Sequence, residues 1–154
     1  MNVIDLIAAP QHIPQLAQWH YQQWAHLSPE LSESTLIEQM NAYLTGDGIP
    51  KMFITESHGS VTGSSSLVAA DMDTRTDLSP WLANVYVHAS QRNKGLGKLL
   101  VNAVIAHAQT LGLKEIYLFT PDKADFYRAQ GWMIVSEEDY KGEMVTIMAY
   151  QLVK

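Results

Sequence analysis

The chain has 154 residues, 47% of them hydrophobic and 17% charged, with a formal net charge of -6 and no cysteine. This length suits one globular domain spanning residues 1–154 around a single core. The missing cysteine excludes disulfide scaffolds, thiolate nucleophiles and Cys-based zinc sites; the acidic balance argues against a nucleic-acid partner; and no apolar run reaches the roughly 20 residues of a membrane helix.

"VIDLIA" reads as a first strand, and "HIPQLAQWHYQQWAHL" as a helix, with Ile13, Leu16, Trp19 or His20, Gln23 or Trp24, and Leu27 at helical spacing. "SPEL" interrupts it. "SESTLIEQMNAYLT" predicts a second helix, N-capped by Ser32 or Ser34, with Gly46 beyond its end. "KMFITES" and "VTGSSSLVAADM" form a predicted hairpin around His58 and Gly59. The polar stretch "DTRTDLSP" leads into the alternating strand "WLANVYV". A long amphipathic helix is expected from Gly95 to Leu111, with Leu96, Leu99, Leu100, Ala103, Val104, Ala108 and Leu111 inward and Gly112 ending it. "KEIYLFT" predicts a strand and "KADFYRAQ" a short helix stopped by Gly131; "WMIVSEE" and "EMVTIMAYQL" close the chain as strands. The order β-α-α-β-β-β-α-β-α-β-β predicts a mixed α/β sheet with helices on its faces.

The run "QRNKGLGKLL" stands between a strand and a helix. A helix's first turn offers unpaired N–H groups and partial positive charge. Glycine lets an anion approach that backbone, and Arg92, Lys94 and Lys98 supply countercharge. The pattern asks for a pyrophosphate or similar dianion. It is no Walker A loop, because Leu99 follows Gly97-Lys98 where a hydroxyl is required. Nor does it hold the three glycines of a dinucleotide fingerprint.

"VYVHASQRNKGLGKLLV" resembles the acetyl-coenzyme A signature of the GNAT N-acetyltransferase superfamily, Arg/Gln-x-x-Gly-x-Gly/Ala, with Arg92, Gly95 and Gly97 at the matching positions. "LFTPDKADFYRAQGW" resembles that family's second stretch, a Phe-Tyr or Leu-Tyr pair before Gly-Phe or Gly-Trp, and the element order agrees across nearly the whole chain. The sequence departs from the pattern at Ala89, where proline is usual; at Asn93, where glycine is usual; and at Thr120, where asparagine is frequent. Asn tolerates the left-handed backbone of such a turn.

The resemblance implies a GNAT fold and acetyl-coenzyme A as co-substrate. It implies that the backbone of Val85 and Val87 pairs with the cofactor's pantetheine arm. The N–H groups of Asn93, Lys94, Gly95, Leu96, Gly97 and Lys98 would surround the pyrophosphate, beside Arg92, with Thr120 as a further contact. It further implies an oxyanion-stabilising N–H near Val85 and Tyr127 as general acid toward the thiolate leaving group. By itself, Phe126-Tyr127 reads as a packed aromatic pair. The expected reaction is direct acetyl transfer to a primary amine of a small molecule or peptide, without a covalent enzyme intermediate. The acidic chain favours a cationic acceptor. Glu30, Glu56, Asp71 and His88 are the candidate bases, and spacing singles out none. The rivals are a non-catalytic acyl-coenzyme A sensor and an acyltransferase with a longer donor.

His12, His20 and His26 lack metal-ligand spacing, so no metal is expected. Trp19 and Trp24 read as core or as walls of a substrate cleft, and "GSSS" at 63–66 as a bulge or close backbone approach. No membrane partner is expected, a homodimer is left open, and "MNVIDLIAAPQ" lacks a signal peptide's basic start and long apolar centre, which favours the cytoplasm.

Overall fold

A computed structural model describes residues 2–27, 29–44 and 46–152. The expected break at Ser28 and helix end at Thr45 lie outside these residues. Seven strands, β1 (Val3–Asp5), β2 (Lys51–Ser57), β3 (Ser60–Val68), β4 (Trp81–Val87), β5 (Glu115–Thr120), β6 (Met133–Tyr140) and β7 (Glu143–Gln151), form one sheet in the order β1-β2-β3-β4-β5-β7-β6. β4–β5 is its parallel pair; the other pairs are antiparallel. Helices α1 (Ile13–Trp24), α2 (Glu33–Asn41), α3 (Leu96–Thr110) and α4 (Ala124–Arg128) complete it. The expected mixed α/β order is thus present.

Local chemistry sets the boundaries. β1 stops at Asp5 instead of continuing through Ala8, because the Asp5 carboxylate accepts the Ile7 N–H at 3.0 Å and the chain turns into a single 3-10 turn. α2 starts at a capping box: Ser32 Oγ accepts the Thr35 N–H at 3.1 Å, and Thr35 Oγ1 accepts the Ser32 N–H at 3.0 Å. His58 and Gly59 both adopt positive φ (53° and 82°), the geometry a two-residue hairpin turn demands. β3 ends at Val68, four residues before the expected Met72, so residues 69–80 form a loop.

Two layers cover the sheet. Ile13, Leu16 and Ala17 of α1 pack with Met40, Met52 and Ile54 on one face. On the other, Val101, Val104 and Ala108 of α3 pack with Leu67, Leu82, Ile116 and Leu118. The inward set of α3 needs correcting: Leu99 and Leu111 are exposed, Ala103 is half-buried, and Val101 and Ile105 are buried instead. The buried stripe follows the sheet's surface, which the three leucines at 96, 99 and 100 could not reveal.

Gly63 is where β3 and α3 approach. A Cβ there would meet the Tyr86 carbonyl oxygen at 2.8 Å and Leu100 Cδ1 at 2.9 Å. Gly63→Ala is therefore expected to destabilise the fold by about 1–3 kcal/mol, measured by urea unfolding; an unchanged midpoint would contradict this packing.

Candidate active site

The site begins with an irregularity between β3 and β4. Ser64 lies opposite Tyr86 and Ser66 opposite Ala83, so Asn84 and Val85 together face Ser65. This is a β-bulge. Asn84 holds its inner turn with φ 55°, in the left-handed region that asparagine tolerates. The carbonyls displaced from the ladder are taken up by hydroxyls: Ser64 Oγ donates to the Asn84 carbonyl at 2.8 Å and Ser66 Oγ to the Ala83 carbonyl at 3.0 Å. Asn84 Nδ2 donates to Ser66 Oγ at 2.8 Å and to the Tyr43 hydroxyl at 3.1 Å. On the opposite face Ser65 Oγ donates to the Leu100 carbonyl of α3 at 2.8 Å. "GSSS" therefore marks both a bulge and, at Gly63, a close approach.

The bulge turns β4 away from β5. The two strands share one ladder pair, Trp81 with Tyr117, and then diverge. His88 N–H bonds the Thr62 carbonyl across to β3 at 2.9 Å, so strand alternation directs the amides of Val87 and Val85 toward the gap. The Val87 carbonyl accepts the Arg92 Nε–H at 3.0 Å.

A cleft of about 600 Å³ opens at this divergence. Val85, Thr120 and Tyr127 line it, together with Asp71, His20 and Trp24. Tyr127 is 8% exposed, and its phenol makes no hydrogen bond to another described residue. Burial and the nearby Asp122 charge push it up to about 12. Burial likewise pushes the Asp71 carboxyl up to about 7, and Asp71 forms no ion pair with another described residue. His20 is driven down to about 4 by burial.

The glycine turn lies outside the cleft lining but adjoins it. Gly95, with φ 80°, precedes α3 without a side-chain cap, and Asn93 adopts φ 65°. A Cβ on Gly95 would meet nothing within 4 Å, while one on Gly97 would stand 3.4 Å from the Phe126 ring. The Cβ side of Gly95 thus faces open space at the uncapped start of α3, which fits an anionic group at a helix start. Leu96 is buried beneath them, and Lys98 is exposed. Lys94 Nζ donates to Gln91 Oε1 at 3.2 Å. Phe126 in turn contacts Tyr127 edge-on at 5.1 Å, linking turn and cleft.

The family model for the acetyltransferase (GNAT) family matches residues 13–132. The chain belongs to the GNAT acetyltransferase family. No curated protein matches it in sequence. Among solved structures, aminoglycoside 6'-acetyltransferase type Ii is similar with a TM-score of 0.76 at 17% identity, covering 100% of this chain and 99% of that one. An aminoglycoside 6'-N-acetyltransferase complexed with coenzyme A gives 0.76 at 16% identity, covering 100% and 98%. The Salmonella typhimurium yncA protein with its cofactor acetyl-CoA gives 0.73 at 17% identity, covering 100% and 96%. At such identities the likeness establishes the shared fold.

On this GNAT scaffold the four candidate bases separate. Asp71 enters the cleft with Tyr127. Glu56 is bonded to His12 Nε2 instead. His88 stacks on Trp19 at 4.7 Å in a separate depression shared with His12 and His58. Glu30 is exposed and lies outside both cavities. Trp24 is a cleft wall, whereas Trp19 stacks on Tyr86 at 5.5 Å and is half-buried. Thr120 Oγ1 accepts the Lys123 N–H at 3.0 Å, holding the turn before α4. Among the described residues no cluster of three His, Asp or Glu could hold a metal ion, and no helix is long and apolar enough to cross a membrane. Sequence reasoning missed Asn84 and did not separate His20 from its neighbours; an asparagine inside an apolar strand was the available signal.

The raised Asp71 carboxyl has a consequence for stability. Its folded-state value lies above the ordinary 3.8, so the protonated form favours folding and this contribution is lost as pH rises through about 7. Asp71→Asn should stabilise the protein by about 2–4 kcal/mol at pH 8, the difference shrinking to zero below about pH 4. Paired thermal melts across that range check it; a constant difference would place the carboxylate in water.

Proposed function

We propose that the protein transfers acetyl from acetyl-coenzyme A directly to a primary amine seated in the β4–β5 cleft. The observation that carries this reading is the continuity from the uncapped α3 start, across Phe126, to Tyr127, which lines the cleft and whose phenol has no hydrogen-bond partner among the described residues. Amides from Asn93 to Lys98 hold the pyrophosphate, with Arg92, Lys94 and Lys98 as countercharge. Val85 and Val87 hold the pantetheine arm as an added strand would be held, and Thr120 lies beside it. The co-substrate supplies a thioester whose acetyl carbon forms the new C–N bond as its C–S bond breaks; the coenzyme leaves as a thiolate, which takes the second amine proton by way of water and departs as the thiol.

A lysine-like amine, with a pKa of about 10.4, is free base in only a few molecules per ten thousand at pH 7. It needs a proton acceptor. Asp71, near 7 and lining the same cleft, is suited to take that proton. The Val85 N–H is suited to the developing oxyanion, a contact worth about 2.7–4 kcal/mol in other enzymes. Tyr127 at about 12 stays protonated. Full transfer to a thiolate whose thiol has a pKa of about 8.5 would be uphill by roughly 5 kcal/mol. Tyr127 therefore acts as a hydrogen-bond donor to the departing sulfur. The acidic chain favours a cationic acceptor, and a reducing cytoplasm suits a chain without cysteine.

Free-thiol release from acetyl-coenzyme A across a panel of amines tests the reading. Amine-dependent release that falls about 100-fold in kcat in Tyr127→Phe, with little change in the coenzyme's KM, is expected. Tight coenzyme binding without release for any amine would instead make the protein a sensor, and preference for succinyl or longer thioesters would change the donor. Gly95→Val and Gly97→Leu should weaken coenzyme A binding at least about tenfold by calorimetry, since a side chain at 95 would enter the space assigned to the phosphates and one at 97 would press on the Phe126 ring beside it. Wild-type affinity in both would refute that placement.

A further inference from the structure

His20 is 2% exposed, and it borders the cleft shared by Asp71, Val85 and Tyr127. Its proton is fixed by its neighbours. Ser64 Oγ lies 2.8 Å from the Asn84 carbonyl, which can only accept, so the hydroxyl's single proton is committed there. His20 Nε2 lies 3.0 Å from the same oxygen. That oxygen has only lone pairs to offer it, so Nε2 must carry the ring proton and Nδ1 must be a bare lone pair. Burial, which drives the imidazole to about 4, keeps the ring neutral near pH 7.

Nδ1 makes no hydrogen bond to a described residue. It is also not among the sealed, unpartnered side-chain atoms, which are Gln130 Oε1 and Trp132 Nε1 among the described residues. The ring's remaining exposure is therefore available to that nitrogen. Edge contacts with Trp24 at 5.0 Å and Tyr86 at 6.1 Å hold the imidazole plane.

We propose that Nδ1 of His20 is the hydrogen-bond acceptor that orients the incoming amine, its tautomer set from behind by Ser64 and the Asn84 bulge. This rests on the acetyl-transfer reading. An amine that has surrendered one proton still has N–H to give Nδ1 while its lone pair points at the acetyl carbon. A hydroxyl that has surrendered its proton has none, so the same contact favours nitrogen over oxygen acceptors.

Imidazole nitrogen NMR of the free protein between pH 6 and 8 is the first test. The His20 signals should report Nε2–H, and Ser64→Ala should relax them toward a tautomer mixture. With coenzyme A present, Nδ1 should shift on adding a primary alkylamine, and with acetyl-coenzyme A the matching alcohol, which must give up its only O–H to react, should not be acetylated. An Nδ1–H tautomer, or no shift with any amine, overturns the proposal. A shift without turnover would leave it standing and overturn acetyl transfer instead.

Kinetics separate orientation from mere support of the bulge. His20→Gln can still donate toward Ser64 but loses the acceptor at Nδ1, and should raise the amine KM by about 5–10-fold. His20→Asn places its amide oxygen near Nδ1 and should retain more activity. The reverse ranking, with both variants folded by thermal melt, would make His20 a brace for the bulge and refute the proposal.

Discussion

The extra residue in β4 is the constraint from which the site follows. A strand that bulges at Asn84 cannot stay parallel to its neighbour, and β4 and β5 part after a single ladder pair. The left-handed backbone of a non-glycine residue costs on the order of 1 kcal/mol or more. Displaced carbonyls without partners would cost more still. The serines of β3 remove that second cost: Ser64 and Ser66 each serve one carbonyl, and Asn84 anchors its own amide on Ser66 and Tyr43. Two serines, one asparagine and one tyrosine thus hold the bulge that parts the two strands.

The same enclosure sets the charge state of the cleft. Desolvation disfavours whichever form of a group is charged. It lifts Tyr127 and Asp71 and lowers His20, so all three shift toward neutrality. Two of the shifts oppose each other in stability. Below pH 6.5 the buried neutral His20 disfavours the folded state as acid is added, while protonation of Asp71 over the range from about 7 downward favours it. In chemical terms the cleft offers a fixed acceptor at His20, a proton acceptor poised near neutrality at Asp71, and a donor at Tyr127. His20 and Tyr127 work as neutral groups, and Asp71 carries its charge only until it takes the proton.

The parts of this design that are local in sequence were legible in it. The glycine turn, the long helix behind it and the Phe126-Tyr127 pair announce themselves through residue types a few positions apart, and the element order follows from periodicity. The bulge did not. It is a relation between Ser65 and two residues some 20 positions away, and nothing in "WLANVYV" fixes its register against β3. Asp71 shows the same limit. Read as part of a strand running to Met72, it was one of four equivalent carboxylate or imidazole candidates. Only when β3 ends at Val68 does the following loop carry it into the cleft. His20 was ambiguous with Trp19 for a related reason: both fit a helical stripe, and only the serines beneath decide which of them is tied to the sheet.

Unpaired backbone links the two halves of the site. Along the inner edge of β4 the amides of Val85 and Val87 have lost their neighbour because β5 has turned away. At the start of α3 the first amides lack partners because every helix leaves them so, and Gly95 adds no capping side chain. Arg92 joins the two by reaching back to the Val87 carbonyl. A ligand with an anionic end and an extended arm bearing amides can satisfy both sets together, and the bulge fixes the angle at which that arm enters. The coenzyme's orientation on the proposed reading is therefore a property of main-chain geometry. Sequence can vary widely along β4 without losing it, so long as a residue tolerant of positive φ stays at position 84 and hydroxyls stay opposite it.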